Sequence, residues 1–148
     1  MISYEHPDLT QHPPRSPRVR LGGYAVLPRI IDKARAQLAG KLGEYLWNNP
    51  LDQRLFTFLG VSAEAFLAAV QTAASDADLL TWVNAHAKRQ PWEIAAWTAW
   101  IENLGPGDIS RHTVFAEQLA RQNPKRDDMR TFCDRLDMDD YASFGGRA

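Results

Sequence analysis

Two groups of side chains in this sequence have the types and spacing for chemistry. The first is cationic. Arg15, Arg18 and Arg20 precede a Gly22-Gly23 pair, and Arg29 and Lys33 follow it one helical turn apart. Guanidinium forks grip carboxylate or phosphate in two-pronged fashion, and a glycine turn leading into a helix start offers free backbone N–H groups to an anion. These seven residues outline an anion cradle. RVRLGGY lacks the fixed spacing of a P-loop or a dinucleotide fingerprint, so it names no nucleotide. The same cations have a structural use, pairing with Asp127, Asp128, Asp137, Asp139 and Asp140 near the other end of the chain.

The second group is Glu93 with His86. On a helix opened by Pro91, Glu93 projects at the angle of Trp100 and Leu104, which sets a carboxylate inside an apolar arc. Desolvation would raise its pKa and the helix N-terminus would lower it. A carboxylate so balanced can serve as general acid or base, and His86, projecting between Leu79, Trp82 and Val83, would complete a proton-moving pair. Each has a plainer role as well. A glutamate at the third helical position turns back to cap a free N–H, and a histidine on an apolar face packs in the core.

No other constellation reaches this level. Asp137-x-Asp139-Asp140 lacks the glycine and distal glutamate of a calcium loop, His6, His12 and His112 have no ligand spacing, and Cys133 shares an apolar stripe with Met129 and Leu136. Neither a metal site nor a cofactor is expected. The single cysteine excludes an internal disulfide. A net charge of −1 argues against nucleic acid and anionic membranes as partners. With 45% hydrophobic and 24% charged residues, 148 residues have the composition of one globular domain, and the absence of a leader or apolar span predicts the cytoplasm.

The elements that would position these residues are helical. Residues 1–23 read as an extended arm, proline-rich at first and basic at its end, followed by the glycine turn. Between Pro13 and Gly40 six basic residues face one acid, Asp32. Pro28 starts a helix with Leu27, Ile30, Ile31, Ala34 and Leu38 inward and Arg29 and Lys33 on the other face. Asn49, Ser62, and either Ser75 or Asp76 cap the next three, and Gly60 stops the first of those. The stretch Pro91–Leu104, with three of the five tryptophans, reads as the central core helix, Trp97, Ile101 and Leu104 inward. Ser110 and Asn123-Pro124 open the last two helices, and residues 137–148 form an acidic, aromatic tail. Six or seven helices in an all-α bundle, with one short β pair near Tyr24 and Tyr45, is the expected architecture.

RSPRVRLGGY, NPLDQR, WEIAAW, PKRDD and DYASFGG together resemble a family of small bacterial proteins carrying a domain of unknown function. That resemblance runs nearly end to end. It implies one domain and a bacterial, cytoplasmic origin, and it carries no activity. Three functions therefore stand: binding of a small anionic ligand or acidic partner surface by the arm and turn, an enzyme using Glu93 and His86, and a helical interaction module closed by arm and tail. The oligomeric state is not legible.

Overall fold

The computed structural model describes residues 1–107, 109–122, 125–126 and 128–146. Asn123, Pro124 and Asp127 of the expectations above lie outside them. The described residues form seven α-helices and one two-stranded antiparallel sheet. The strands are β1 (Arg20–Leu21) and β2 (Tyr24–Ala25), joined through Gly22 at φ 57° and Gly23 at φ 85°. Positive φ at both turn residues makes a tight hairpin whose twist matches its strands, and only glycine adopts it without strain. A Cβ on Gly22 would also fall 2.4 Å from Leu80 Cδ1. The expected pairing of Tyr24 with the Tyr45 region does not occur, because the chain turns back on itself after two residues.

Helix α1 (Leu27–Leu38) is the element the others enclose. Pro28 presets φ in its first turn. Just before it Val26 takes φ 69°, a costly conformation for a β-branched residue, with its side chain fully buried and its N–H donated to the Pro17 carbonyl at 2.8 Å. Leu27, Ile30, Ile31 and Ala34 are fully buried, and so is Asp32 on the same helix, with Arg29 4% and Lys33 2% exposed. Arg29 and Lys33 were expected on a solvated face. They are buried because neighbouring segments bring carboxylates to them.

Helices α2 (Pro50–Leu59), α3 (Ala63–Thr72) and α4 (Asp76–Ala87) begin where their caps predict. Asn49 Oδ1 accepts from the Leu51 and Asp52 N–H groups, Ser62 from Ala65 and Ser75 from Asp78. Their inner faces bring Phe56 to 5.2 Å from Phe66, ring centre to ring centre, and Trp47 covers both. Helix α5 (Pro91–Glu102) is not the centre. Its buried stripe is Ile94, Thr98 and Ile101, while Trp92 is 71% and Trp100 48% exposed. The narrow stripe suffices because α5 lies on the hairpin rather than inside the bundle. Thr98 Oγ1 donates to the Gly23 carbonyl at 2.7 Å and accepts from the Ala25 N–H at 3.1 Å. Thr98→Val keeps the shape and strands both backbone groups, so it should cost about 2–4 kcal/mol in urea unfolding, with Thr98→Ser retaining most of the stability.

Helices α6 (Ile109–Gln122) and α7 (Phe132–Ser143) complete the chain. The last helix was expected to open at Asn123-Pro124. It opens at Phe132, because Thr131 Oγ1 accepts from the Asp134 N–H and Asp134 returns its carboxylate to the Thr131 N–H. The acidic stretch from Asp137 is thus largely helical.

Candidate anion site

The cations of the arm are held by carboxylates of the same chain. Arg15 donates from its backbone N and Nε to Asp32 Oδ2, 2.9 Å each, and from Nη1 to Asp76 Oδ2 at 2.7 Å. Arg18 bridges Asp134 and Asp137, and Arg20 grips Glu102 with two nitrogens at 3.0 and 2.7 Å. Gly22 and Gly23 serve the hairpin turn. The arm is therefore a strap, fastened to α1, α4, α5 and α7 in turn.

Asp76 at the start of α4 takes Arg15 on one oxygen and Arg35 on the other, at 2.7 and 2.8 Å. Burial pushes its carboxyl up, but the two arginines outweigh burial and hold it below the ordinary value. A depressed native pKa contributes stability above the unfolded value, and that contribution is lost as pH falls through the native one. Asp76→Asn should accordingly be less stable than wild type at pH 6. The gap in urea midpoints should narrow as pH drops below about 4.

Deeper in the fold, Lys33 Nζ donates to both oxygens of Asp52 at 2.8 and 2.7 Å and to the Leu46 carbonyl at 2.9 Å. Burial pushes the Lys33 ammonium down and the Asp52 carboxyl up, each opposed by the other's charge. Arg29 clasps Asp140 of α7 through Nη1 at 2.6 Å and Nη2 at 3.2 Å, and Tyr45 donates its hydroxyl to the same carboxylate at 2.8 Å. Burial and the Asp140 carboxylate both raise the Tyr45 pKa, so the phenol stays a donor.

These two pairs stand at the back of a cavity of about 560 Å³ between α1, the start of α2 and α7. Its cationic wall also holds Arg54, Arg111 and Arg135, its acidic wall Glu44 and Asp139, and Leu46, Leu51, Phe132 and Leu136 supply apolar surface. Among the described residues, every Asp, Glu, Lys and Arg at least partly withdrawn from solvent has an ion-pair partner, with three exceptions. The exceptions are Arg54, Arg135 and Asp139, and all three line this cavity. Arg135 is the most exacting case. Its Nε is buried without a hydrogen-bond partner. Burial pushes its guanidinium below the ordinary value, Asp139 offsets this in part, and Arg29 adds to it. A buried donor left open costs on the order of 1–3 kcal/mol, more when charged.

The sequence matches the model of the domain of unknown function DUF5069 over residues 11–142. The chain belongs to this family. Arg29, Lys33, Glu44, Arg54, Arg111, Arg135 and Asp139 all fall within the matched segment. No curated protein matches the chain. Family membership assigns it no reaction, so function is read from the site.

The proposed proton-moving pair is arranged differently within this family fold. Glu93 Oε2 accepts from the Gln90 N–H at 2.8 Å, and Oε1 lies 3.3 Å from Arg89 Nη1. It caps α5. His86 is exposed, lies with its ring centre 4.1 Å from the Trp82 ring and donates from Nδ1 to the Trp82 carbonyl at 2.8 Å. The two side chains are thus spent on separate partners. Cys133 is buried, with its thiol pushed up to about 11 mainly by desolvation, which suits packing better than nucleophilic attack. Of the seven cradle residues, only Arg29 and Lys33 reach the cavity. Arg54, Arg111, Arg135 and Glu44 were not foreseen. The available signal was slight: Arg54 two residues beyond a capping aspartate, and Arg135 and Asp139 at i,i+4 on one helix face.

Proposed function

We propose that this chain binds a small organic anion in the cavity between α1, α2 and α7, through Arg135 and Arg54, with Arg111 at the same wall. The observation that carries this reading is the buried, unpartnered Arg135 Nε, when among the described residues the other withdrawn cations, Arg54 apart, are paired. A carboxylate or phosphate would supply the missing acceptor, and a guanidinium fork takes either in two-pronged fashion. The cavity has the volume of a metabolite site, and its aliphatic and aromatic walls suit a ligand with an apolar body. The arm does not enter this site. Its role is to hold α1, α4 and α7 in register around it.

Arg135→Gln should weaken the binding of anionic metabolites, found by thermal-shift screening and measured by calorimetry, by roughly tenfold to a hundredfold. Arg20→Gln, which loosens only the tie of the strap to Glu102 of α5, should leave affinity within about twofold of wild type. Equal affinities for wild type and Arg135→Gln would remove the reading.

A further inference from the structure

The third unpaired charge of the cavity is negative, and a simple anion leaves it unanswered. Asp139 receives a hydrogen bond on Oδ1 from Gln122 Nε2. It has no ion-pair partner, although Arg135 lies one turn away on α7. Beside it, Gln122 Oε1 is buried and receives no hydrogen bond. Glu44 lies on the same side, on the boundary with a second cavity of about 460 Å³ that Tyr45 and Asp139 also line. The cavity thus presents an unpaired cation at Arg135 and unpaired carboxylates at Asp139 and Glu44. A plain carboxylate or phosphate satisfies the first and is repelled by the second.

We infer that the ligand is a zwitterion of amino-acid or short-peptide size, whose anionic group takes Arg135 and Arg54 and whose ammonium takes Asp139 and Glu44. This rests on the anion-site reading above. An ammonium has three donors and no acceptor, which fits a site made of two carboxylates. Unlike charges presented within one cavity also discriminate, since a ligand with only one of them leaves the other unpaired. Leu46, Leu51, Phe132 and Leu136 provide room for a side chain.

The test uses matched sets in calorimetry on the full chain: L-phenylalanine with 3-phenylpropanoate and 2-phenylethylamine, and L-leucine with 4-methylpentanoate and 3-methylbutylamine, after a thermal-shift screen of all amino acids and a set of dipeptides. The amino-carboxylates should bind at least about tenfold more tightly than either counterpart. Asp139→Asn, which keeps the oxygen facing Gln122, should abolish the preference for the amino acid over its deaminated form, which should bind at least as tightly as to wild type. If carboxylates bind as tightly as their amino acids and Asp139→Asn changes neither, the zwitterion inference is wrong and the anion site stands. If no anion of either kind shows binding that depends on Arg135, the site itself is wrong.

Discussion

Lys33→Met should destabilise the protein by about 3–5 kcal/mol, a large part of the stability of a domain this size. The reason lies in what stays behind. The side chains of Lys33 and Asp52 are 3% and 1% exposed, and removing the ammonium leaves a carboxylate in the interior with only the Asn49 N–H, at 3.3 Å, as hydrogen-bond donor. The Leu46 carbonyl loses its Nζ donor too. A buried pair need not stabilise relative to neutral groups of the same shape, because taking two charges out of water offsets their attraction. Lys33→Met combined with Asp52→Asn should therefore recover more than half of the loss, since asparagine can still accept from the Asn49 N–H. Urea unfolding of both single variants and the double variant measures the coupling. A double variant as unstable as the sum of the singles would contradict this account.

That pair also marks where sequence stops being informative. Helix starts were readable because each is local: Asn49, Ser62 and Ser75 act on N–H groups two or three residues away, and Pro28 and Pro91 act on their own φ. Gly22-Gly23 was readable as a turn for the same reason. Arg29 and Lys33, by contrast, look like the wet face of an amphipathic helix; charge balance points to the acidic end of the chain, where Arg29 does find Asp140, 111 residues away, but nothing near Lys33 announces Asp52, 19 residues away. A helix enclosed on all sides with its charges paired has the same periodicity as one lying on the surface. The tryptophans of α5 mislead in the opposite direction. Aromatic content suggested a core helix, while the buried stripe is set by Thr98, whose hydroxyl serves two backbone groups of a hairpin 73 and 75 residues earlier.

The cavity was illegible for a further reason. Its unpaired charges come from α2 and α7, and no spacing joins Arg54 to Arg135 and Asp139. They are recognised only by subtraction, once the partners of all other withdrawn charges are known. Arg29 and Lys33 were singled out for an anion and do reach the cavity wall, but as charges already neutralised by Asp140 and Asp52.

Asp140→Ala should be comparably severe, at about 3–5 kcal/mol, and should differ in kind from the loss at Lys33. Asp140 is 6% exposed and receives Arg29 on both oxygens and the Tyr45 hydroxyl on one. Its loss leaves a buried guanidinium facing a cavity, with the Arg15 carbonyl at 3.2 Å as its remaining acceptor. It also cuts the tie between α1 and the C-terminal half of α7. The N-terminal half keeps its own: Arg18 to Asp134 and Asp137, and the Phe132 N–H to the Leu104 carbonyl at 2.9 Å. The expected result is a helix still anchored at its start but released at the turn that carries Asp139. Hydrogen exchange should then rise first from Asp139 to Ser143, at denaturant concentrations where α1 to α5 stay protected. Ligand binding should fall further than in Arg135→Gln, although the binding side chains are all present, because the α7 wall that carries Arg135 and Asp139 no longer closes. Tyr45→Phe removes one donor and leaves the Arg29 clasp intact, so its cost should be only about 1–2 kcal/mol with binding preserved. If Tyr45→Phe and Asp140→Ala lose affinity to the same extent, the clasp between Arg29 and Asp140 is not what shapes the site.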